Sequence, residues 1–160
     1  MIFLSVGQML PFDRFVRLVD EWAAGVPDVE VVAQVGNGAY QPRHIQAVDF
    51  LTPAEFRQHI ERAAAVVSHA GIGNIFAALE SGKPLLIFPR QQSLREVTND
   101  HQMATARFFG AKGLLRVALN DEDLRSELGV LESATPPPKC SLVASSELVQ
   151  RLRRFIFVGD

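Results

Sequence analysis

Cysteine is nearly missing from this chain. Cys140 is the only one in 160 residues, so no internal disulfide can form, which suits a reducing compartment. Basic charge is not in excess either: 16 Lys and Arg face 18 Asp and Glu, for a formal charge of −2. Nucleic-acid binding is therefore not expected, because neutralising phosphates needs a basic surface. No apolar run approaches the roughly 20 residues that cross a bilayer. The start, Met1 to Leu10, lacks the basic segment that opens a signal peptide and soon meets Pro11, Asp13 and Arg14. It reads as a first strand. A cytoplasmic location follows as the expectation, with any membrane association supplied by another component.

Several nucleotide and catalytic motifs are absent too. Gly7 stands alone after the first apolar run, and Gly36-Asn37-Gly38 lacks a third glycine, so the dinucleotide fingerprint does not fit. Gly82-Lys83 is followed by Pro84 and cannot open a helix as a P-loop does. There is no Gly-x-Ser-x-Gly elbow, and the adjacent pair Ser68-His69 cannot serve as a dyad. No His, Cys and carboxylate set has metal-ligand spacing, so neither a metal nor a cofactor is expected.

What is present is a globular composition, 48% apolar and 21% charged, in a length that suits one domain over residues 1–160. Short apolar runs at Ile2 to Val6, Val29 to Val35, Val48 to Leu51, Ala65 to Ser68, Leu85 to Phe88 and Gly113 to Val117 read as strands. Between them, helices are expected from Pro11 to about Trp22, from Thr52 to about Arg62, over Ile72 to Glu80, and from Asn99 to Phe109 with a stop at Gly110. Thr52-Pro53-Ala54-Glu55 has the form of a capping box. Asn120 opens another helix, a proline-rich break lies near residues 133–140, and a last helix of about residues 145–157 is expected to dock elsewhere. Strands alternating with helices imply a doubly wound α/β fold, a mainly parallel sheet covered on both faces.

In such sheets ligands bind beyond the carboxyl ends of the strands. The loops at Gly7-Gln8, at Gly36, at Ser68 to Asn74 and at Arg90 to Asp100 are expected to share that edge. The third has the physics of an anion site: two glycines admit close approach, and the amides and dipole of the next helix favour phosphate. The same residues also suit a plain strand-to-helix turn with His69 bonded locally; a short Gly-x-Gly does not separate the two.

Other candidates have ordinary readings beside sharper ones. Asp121-Glu122-Asp123 follows Asn120 and is expected to complement a helix dipole, not to bind metal. His59 is expected on a helix surface. Arg90 and Arg95 fit either a solvated loop or a clamp for phosphate or an acidic sugar. Phe155, Ile156 and Phe157 beside Arg151, Arg153 and Arg154 suit packing, partner docking or a membrane surface, with docking favoured.

Taken together, Ser68-His69-Ala70-Gly71-Ile72-Gly73-Asn74, Gly82-Lys83-Pro84-Leu85 and Asn99-Asp100-His101-Gln102 resemble the donor-binding domain of glycosyltransferase family 28. That family includes the GlcNAc transferase of peptidoglycan synthesis. Val6-Gly7-Gln8 with Pro11-Phe12-Asp13-Arg14 resembles, more narrowly, its stand-alone members, soluble subunits of two-part enzymes of N-glycan and exopolysaccharide assembly. The resemblance spans about Ile2 to Gly113. It implies the Rossmann-like half of a GT-B enzyme that binds a UDP-sugar, with a membrane-associated partner holding a lipid-linked acceptor and the general base. It further implies that His69, Ala70, Gly71, Gly73 and Asn74 meet the diphosphate, that Gly7 and Gln8 lie beneath it, that Gln34 and Gly36 form a neighbouring loop, and that Gln102 contacts the sugar with Asp100 or His101 nearby.

Two departures stand out. The family places a ribose-binding glutamate six residues after Gly71, where this chain has Ala77, and Glu80 is one turn further on. Gln8 stands where threonine is usual. The expected function is donor binding in a two-part glycosyltransferase of surface polysaccharide synthesis. The alternatives are a non-catalytic subunit that binds a nucleotide sugar, and a nucleotide-sugar epimerase.

Overall fold

The computed structural model describes residues 1–137, 139 and 144–157. Six parallel strands form one sheet: β1 (Ile2–Ser5), β2 (Val31–Gln34), β3 (Gln46–Val48), β4 (Ala65–His69), β5 (Leu85–Phe88) and β6 (Arg116–Val117), in the order β3-β2-β1-β4-β5-β6. Helices α1 (Asp13–Ala24), α2 (Pro53–Arg62), α3 (Ile72–Glu80), α4 (His101–Ala111) and α5 (Asp121–Val130) connect and cover it, and α6 (Ser146–Phe157) follows. This is the doubly wound α/β arrangement expected.

The strands are apolar on both sides because both faces are covered. Their alternation sorts the core into two halves. Ile2, Leu4, Ala33, Val67 and Phe88 join Phe15 and Val19 of α1 and Leu124 and Leu128 of α5 on one face. Phe3, Val66, Leu85 and Ile87 join Ile60 of α2, Ile75 and Leu79 of α3 and Ala106 of α4 on the other. The chain leaves β1 toward β2 and β3, then returns to place β4 on β1's other side. The β1 and β4 loops therefore diverge, opening the crevice that binds ligands in such sheets.

Local rules account for several element ends. Glu55 N donates to Thr52 Oγ1 (3.3 Å) and Thr52 N to Glu55 Oε2 (2.8 Å), the capping box read from sequence. Thr52→Ala is expected to cost about 1 kcal/mol, read as a lower urea midpoint at unchanged m-value. Lys83 Nζ donates to Glu61 O and Ala63 O at the far end of the same helix. Asn120 accepts from Asp123 N, and Asp123 accepts from Leu119 N, so the acidic run caps α5.

Other ends were not where the sequence placed them. β3 is Gln46–Val48, not Val48 to Leu51; it is an edge strand with exposed residues, so apolar content does not mark it. α4 runs through Gly110, where a Cβ would stand 3.0 Å from Val117 Cγ2. Gly110 permits close packing on β6, and the turn comes instead at Gly113, with φ +64. His59 is not a solvated surface residue: its ring stacks on Phe3 at 5.3 Å.

Two acids of α1 hold the segment between β2 and β3. Asp13 accepts from Ala39 N and Tyr40 N. Asp20, 2% exposed, accepts from Tyr40 Oη, Arg43 N and His44 N.

Within the proline-rich break, Pro138 and Cys140 lie outside the described residues. Lys139 lies across Gly82, so this stretch returns toward the α3–β5 turn. α6 has no buried residue: Leu148, Leu152, Phe155, Ile156 and Phe157 are all exposed. No helix among the described residues is long and apolar enough to cross a membrane.

Candidate functional site

At the carboxyl ends of β1, β2 and β4, three polar residues sit in register, Ser5 opposite both Gln34 and Ser68. Ser5 Oγ donates to Gln34 Oε1 (2.7 Å), and Ser68 Oγ donates to Ser5 O (3.2 Å). Asn74, in the first turn of α3, donates from Nδ2 to both hydroxyls, each at 2.9 Å. Gly7 N donates to Ser5 Oγ (3.3 Å) and Gly7 O accepts from Gln34 Nε2 (3.5 Å). This network fixes the β1–α1 loop against the start of α3.

It corrects one expectation. The Asn74 amide is spent on two serines and is not aimed at a ligand. Ser5 went unnoticed in the sequence, although polar residues ending three apolar runs, at Ser5, Gln34 and Ser68, were a visible signal.

His69 ends β4 and lines the crevice. A Cβ at Gly7 would stand 2.7 Å from its Cε1, and one at Gly71 would collide with its Nε2. Gly71 has an ordinary φ of −88°, so it is glycine because the imidazole occupies the space. Gly7, at φ +81, is glycine on both counts. Burial, then the charge of Arg90, hold the imidazole down at about 4, against the Ser5 backbone, which favours the proton. His69 is therefore neutral above about pH 5. Its Nδ1 is buried with no hydrogen-bond partner among the described residues.

Gly73 differs from Gly7 and Gly71. Nothing among the described residues lies within 4 Å of where its Cβ would be. Helix α3 starts at Gly71 with no side-chain cap and no acid in its first turn. Its first turn thus has no side-chain cap, and Gly73 is exposed there, at the positive end of the dipole.

A groove of about 990 Å³ opens there. Gly7, Gln8, Gln34, His69, Gly73 and Asn74 line it at the sheet edge; Phe56 and Arg57 of α2, and Phe76, Ala77 and Glu80 of α3, form its walls. Gln8 Nε2 reaches Leu51 O at 3.5 Å. Lys83, from the Gly82-Lys83-Pro84-Leu85 run, and Lys139 also line it, although the sequence offered neither as a site residue. Glu80 shares the groove with Ala77.

The remaining candidates lie off the groove. Gly36 is a buried turn at φ +65 beside Gly7 O. Ala70 is buried in the core against α3 and α4. Asp100 accepts from Gln92 N, and His101 Nδ1 bonds Asn99, at the exposed start of α4. Gln102 is 6% exposed and accepts from Arg90 N (3.1 Å), a different task from the sugar contact expected. Arg90 is neither solvated nor a direct clamp: it is 3% exposed and donates from Nη2 to Val6 O and Leu10 O. Arg95 is an exposed turn residue at φ +57.

The sequence profile of the glycosyltransferase family 28 C-terminal domain matches residues 1–139. The mouse "UDP-N-acetylglucosamine transferase subunit ALG13" is 29% identical over 90 residues, 53% of this chain and 7% of that protein. Its human counterpart is 28% identical over 90 residues, 53% and 8% of the two. The chain thus spans less than a tenth of the length of these relatives. Among solved structures, an NMR structure of ALG13 superimposes with TM-score 0.61 at 19% identity, over 94% of this chain and 93% of that one. The glycotransferase of kitacinnamycin superimposes with TM-score 0.62 at 22% identity, over 83% and 35%.

Proposed function

The chain belongs to glycosyltransferase family 28, through that family's C-terminal domain, and from this premise we propose that it holds the nucleotide-diphospho-sugar donor of a glycosyltransferase. The observation that carries the reading is the groove that reaches the uncapped start of α3, with Gly73 open and His69 neutral beside it. The diphosphate takes the first-turn amides of α3 and the His69 N–H, above the Gly7-Gln8 loop. The nucleoside lies between α2 and α3, where Glu80, one turn beyond Ala77 on the same helix face, takes the ribose hydroxyls. The sugar lies toward the start of α4, near Asp100 and His101.

The donor is UDP-linked and the acceptor site is on a partner; both are supported by the printed name of the ALG13 relatives, a UDP-N-acetylglucosamine transferase subunit. The partner is membrane-associated and presents a lipid-linked acceptor at the cytoplasmic face, in surface polysaccharide assembly. The exposed apolar residues of α6 beside Arg151, Arg153 and Arg154 are where it docks. The acceptor hydroxyl attacks the anomeric carbon with inversion and gives its proton to a base on the partner. The bond to the UDP oxygen breaks, and the α3 amides and His69 stabilise the charge on departing UDP.

Calorimetric titration with UDP and UDP-sugars tests this. Saturable binding is expected. Gly73→Ala is expected to keep the fold, with helix propensity improved by up to about 1 kcal/mol, and to weaken UDP by about tenfold or more, because its methyl fills the open space. Absence of saturable binding by the unaltered protein overturns the proposal. Ala77 in the groove favours a second reading, a donor-binding subunit that does no chemistry. Binding without transfer in the pair reconstituted with its partner would select it.

A further inference from the structure

Arg90 is a buried guanidinium with no ion pair to a carboxylate among the described residues. Its Nη2 donates to Val6 O (2.9 Å) and Leu10 O (2.5 Å), and its Cζ lies 4.8 Å from the Phe12 ring. Its Nε is buried and finds no partner among the described residues. The contrast with Arg14 is instructive. Arg14 lies over Phe88 and Phe12, but it is paired with Glu96 and Asp121. Both Glu96 oxygens are taken, Oε1 by Arg14 and Oε2 by Arg14 and Gln91 N. Glu96, the acid whose charge acts on Arg90, is thus hydrogen-bonded elsewhere.

Burying a cation without a counter-charge is costly, and an apolar side chain of similar size would serve packing better. Burial lowers Arg90 to about 10, with the charge of Glu96 opposing the shift from a distance, so it stays charged at neutral pH. Its charge bears on His69. The two carbonyls it holds flank Gly7 to Met9, the loop lying beside the uncapped start of α3.

We propose that Arg90 is a positioning residue for the donor diphosphate: it pins the Gly7 to Leu10 loop from beneath, and its unmatched charge is answered when the diphosphate binds above His69. This rests on the donor-binding reading. It also accounts for an arginine at a position 3% exposed and without an ion-pair partner among the described residues.

The test compares UDP, uridine and pyrophosphate by calorimetry on the unaltered protein, Arg90→Met, Arg90→Lys and Arg14→Met. Arg90→Met should weaken UDP and pyrophosphate at least tenfold and uridine less than twofold. Arg90→Lys should hold the UDP-to-uridine ratio within threefold of the unaltered protein, and Arg14→Met should leave that ratio unchanged. Equal losses for UDP and uridine in Arg90→Met, or an Arg14→Met ratio as low as that of Arg90→Met, would reduce Arg90 to a packing role and overturn the proposal. Should Arg90→Met not fold, Arg90→Lys decides, a retained ratio supporting the charge and a lost one overturning it. If the unaltered protein binds neither UDP nor pyrophosphate, the donor-binding reading falls and takes this proposal with it; if it binds UDP but Arg90→Met keeps the unaltered UDP-to-uridine ratio, this proposal alone falls.

Discussion

Replacing His69 by alanine is expected to slow sugar transfer, measured with the acceptor-binding partner, by a factor of roughly a hundred to a thousand, the loss seen when one preorganised donor to a developing charge is removed. The ring is set between Gly7 and Gly71 and lines the groove at the start of α3. Because burial and Arg90 lower its pKa to about 4, it offers an N–H without competing for a proton near pH 7. His69→Gln, which keeps a donor, should recover part of the rate. The transfer rate should show no limb from His69 between pH 6 and 8. Stability behaves differently. A histidine lowered from 6.5 to about 4 on folding leaves the unfolded chain binding more protons in that window. His69 therefore contributes stability that is full above about pH 6.5 and is lost as pH falls toward 4. In His69→Ala that acid-side slope should shrink in urea titrations. Normal turnover by His69→Ala would remove the residue from the site.

Asn74→Asp should damage both the fold and the site. Ser5 Oγ spends its proton on Gln34, and Ser68 Oγ spends its own on Ser5 O. Both hydroxyls can only accept from residue 74, and the asparagine amide supplies two protons. An aspartate supplies none. Ser5 Oγ keeps Gly7 N as a donor, but Ser68 Oγ is left unmet, at about 1–3 kcal/mol, which lowers the melting temperature by about 2–12 °C in a chain of this size. The new carboxylate also places negative charge beside the α3 amides, so UDP should bind more than tenfold weaker. Asn74→Ser, which keeps one donor, should lie between. Unchanged melting and UDP affinity in Asn74→Asp would show that the network does not organise the site.

The legible parts of the fold are those where the deciding interactions are local. The runs ending at Ser5, His69 and Phe88 declare themselves as strands because both faces are covered and few polar residues interrupt them. The α2 start is written in four consecutive residues. β3 is not legible, because Gln46–Val48 lies at an edge with little apolar content. Gly110 misleads because a glycine that ends a helix and one that lets a helix approach a strand look alike in sequence. Which face of the sheet Val117 meets settles the matter.

The sequence by itself determined that strands and helices alternate, that the Gly7, Gly36, His69 and Arg90 segments end at one edge of the sheet, and that Gly73 opens a helix there. Those follow from the period of apolar residues and from bonds spanning a few positions. Only the tertiary structure decided that Gly71 is glycine to seat an imidazole, that Asn74 faces Ser5 69 residues away, and that Arg90 turns inward to Val6 O across 84 residues. Strand order and register set those partners, and neither is encoded near the residues that they bring together.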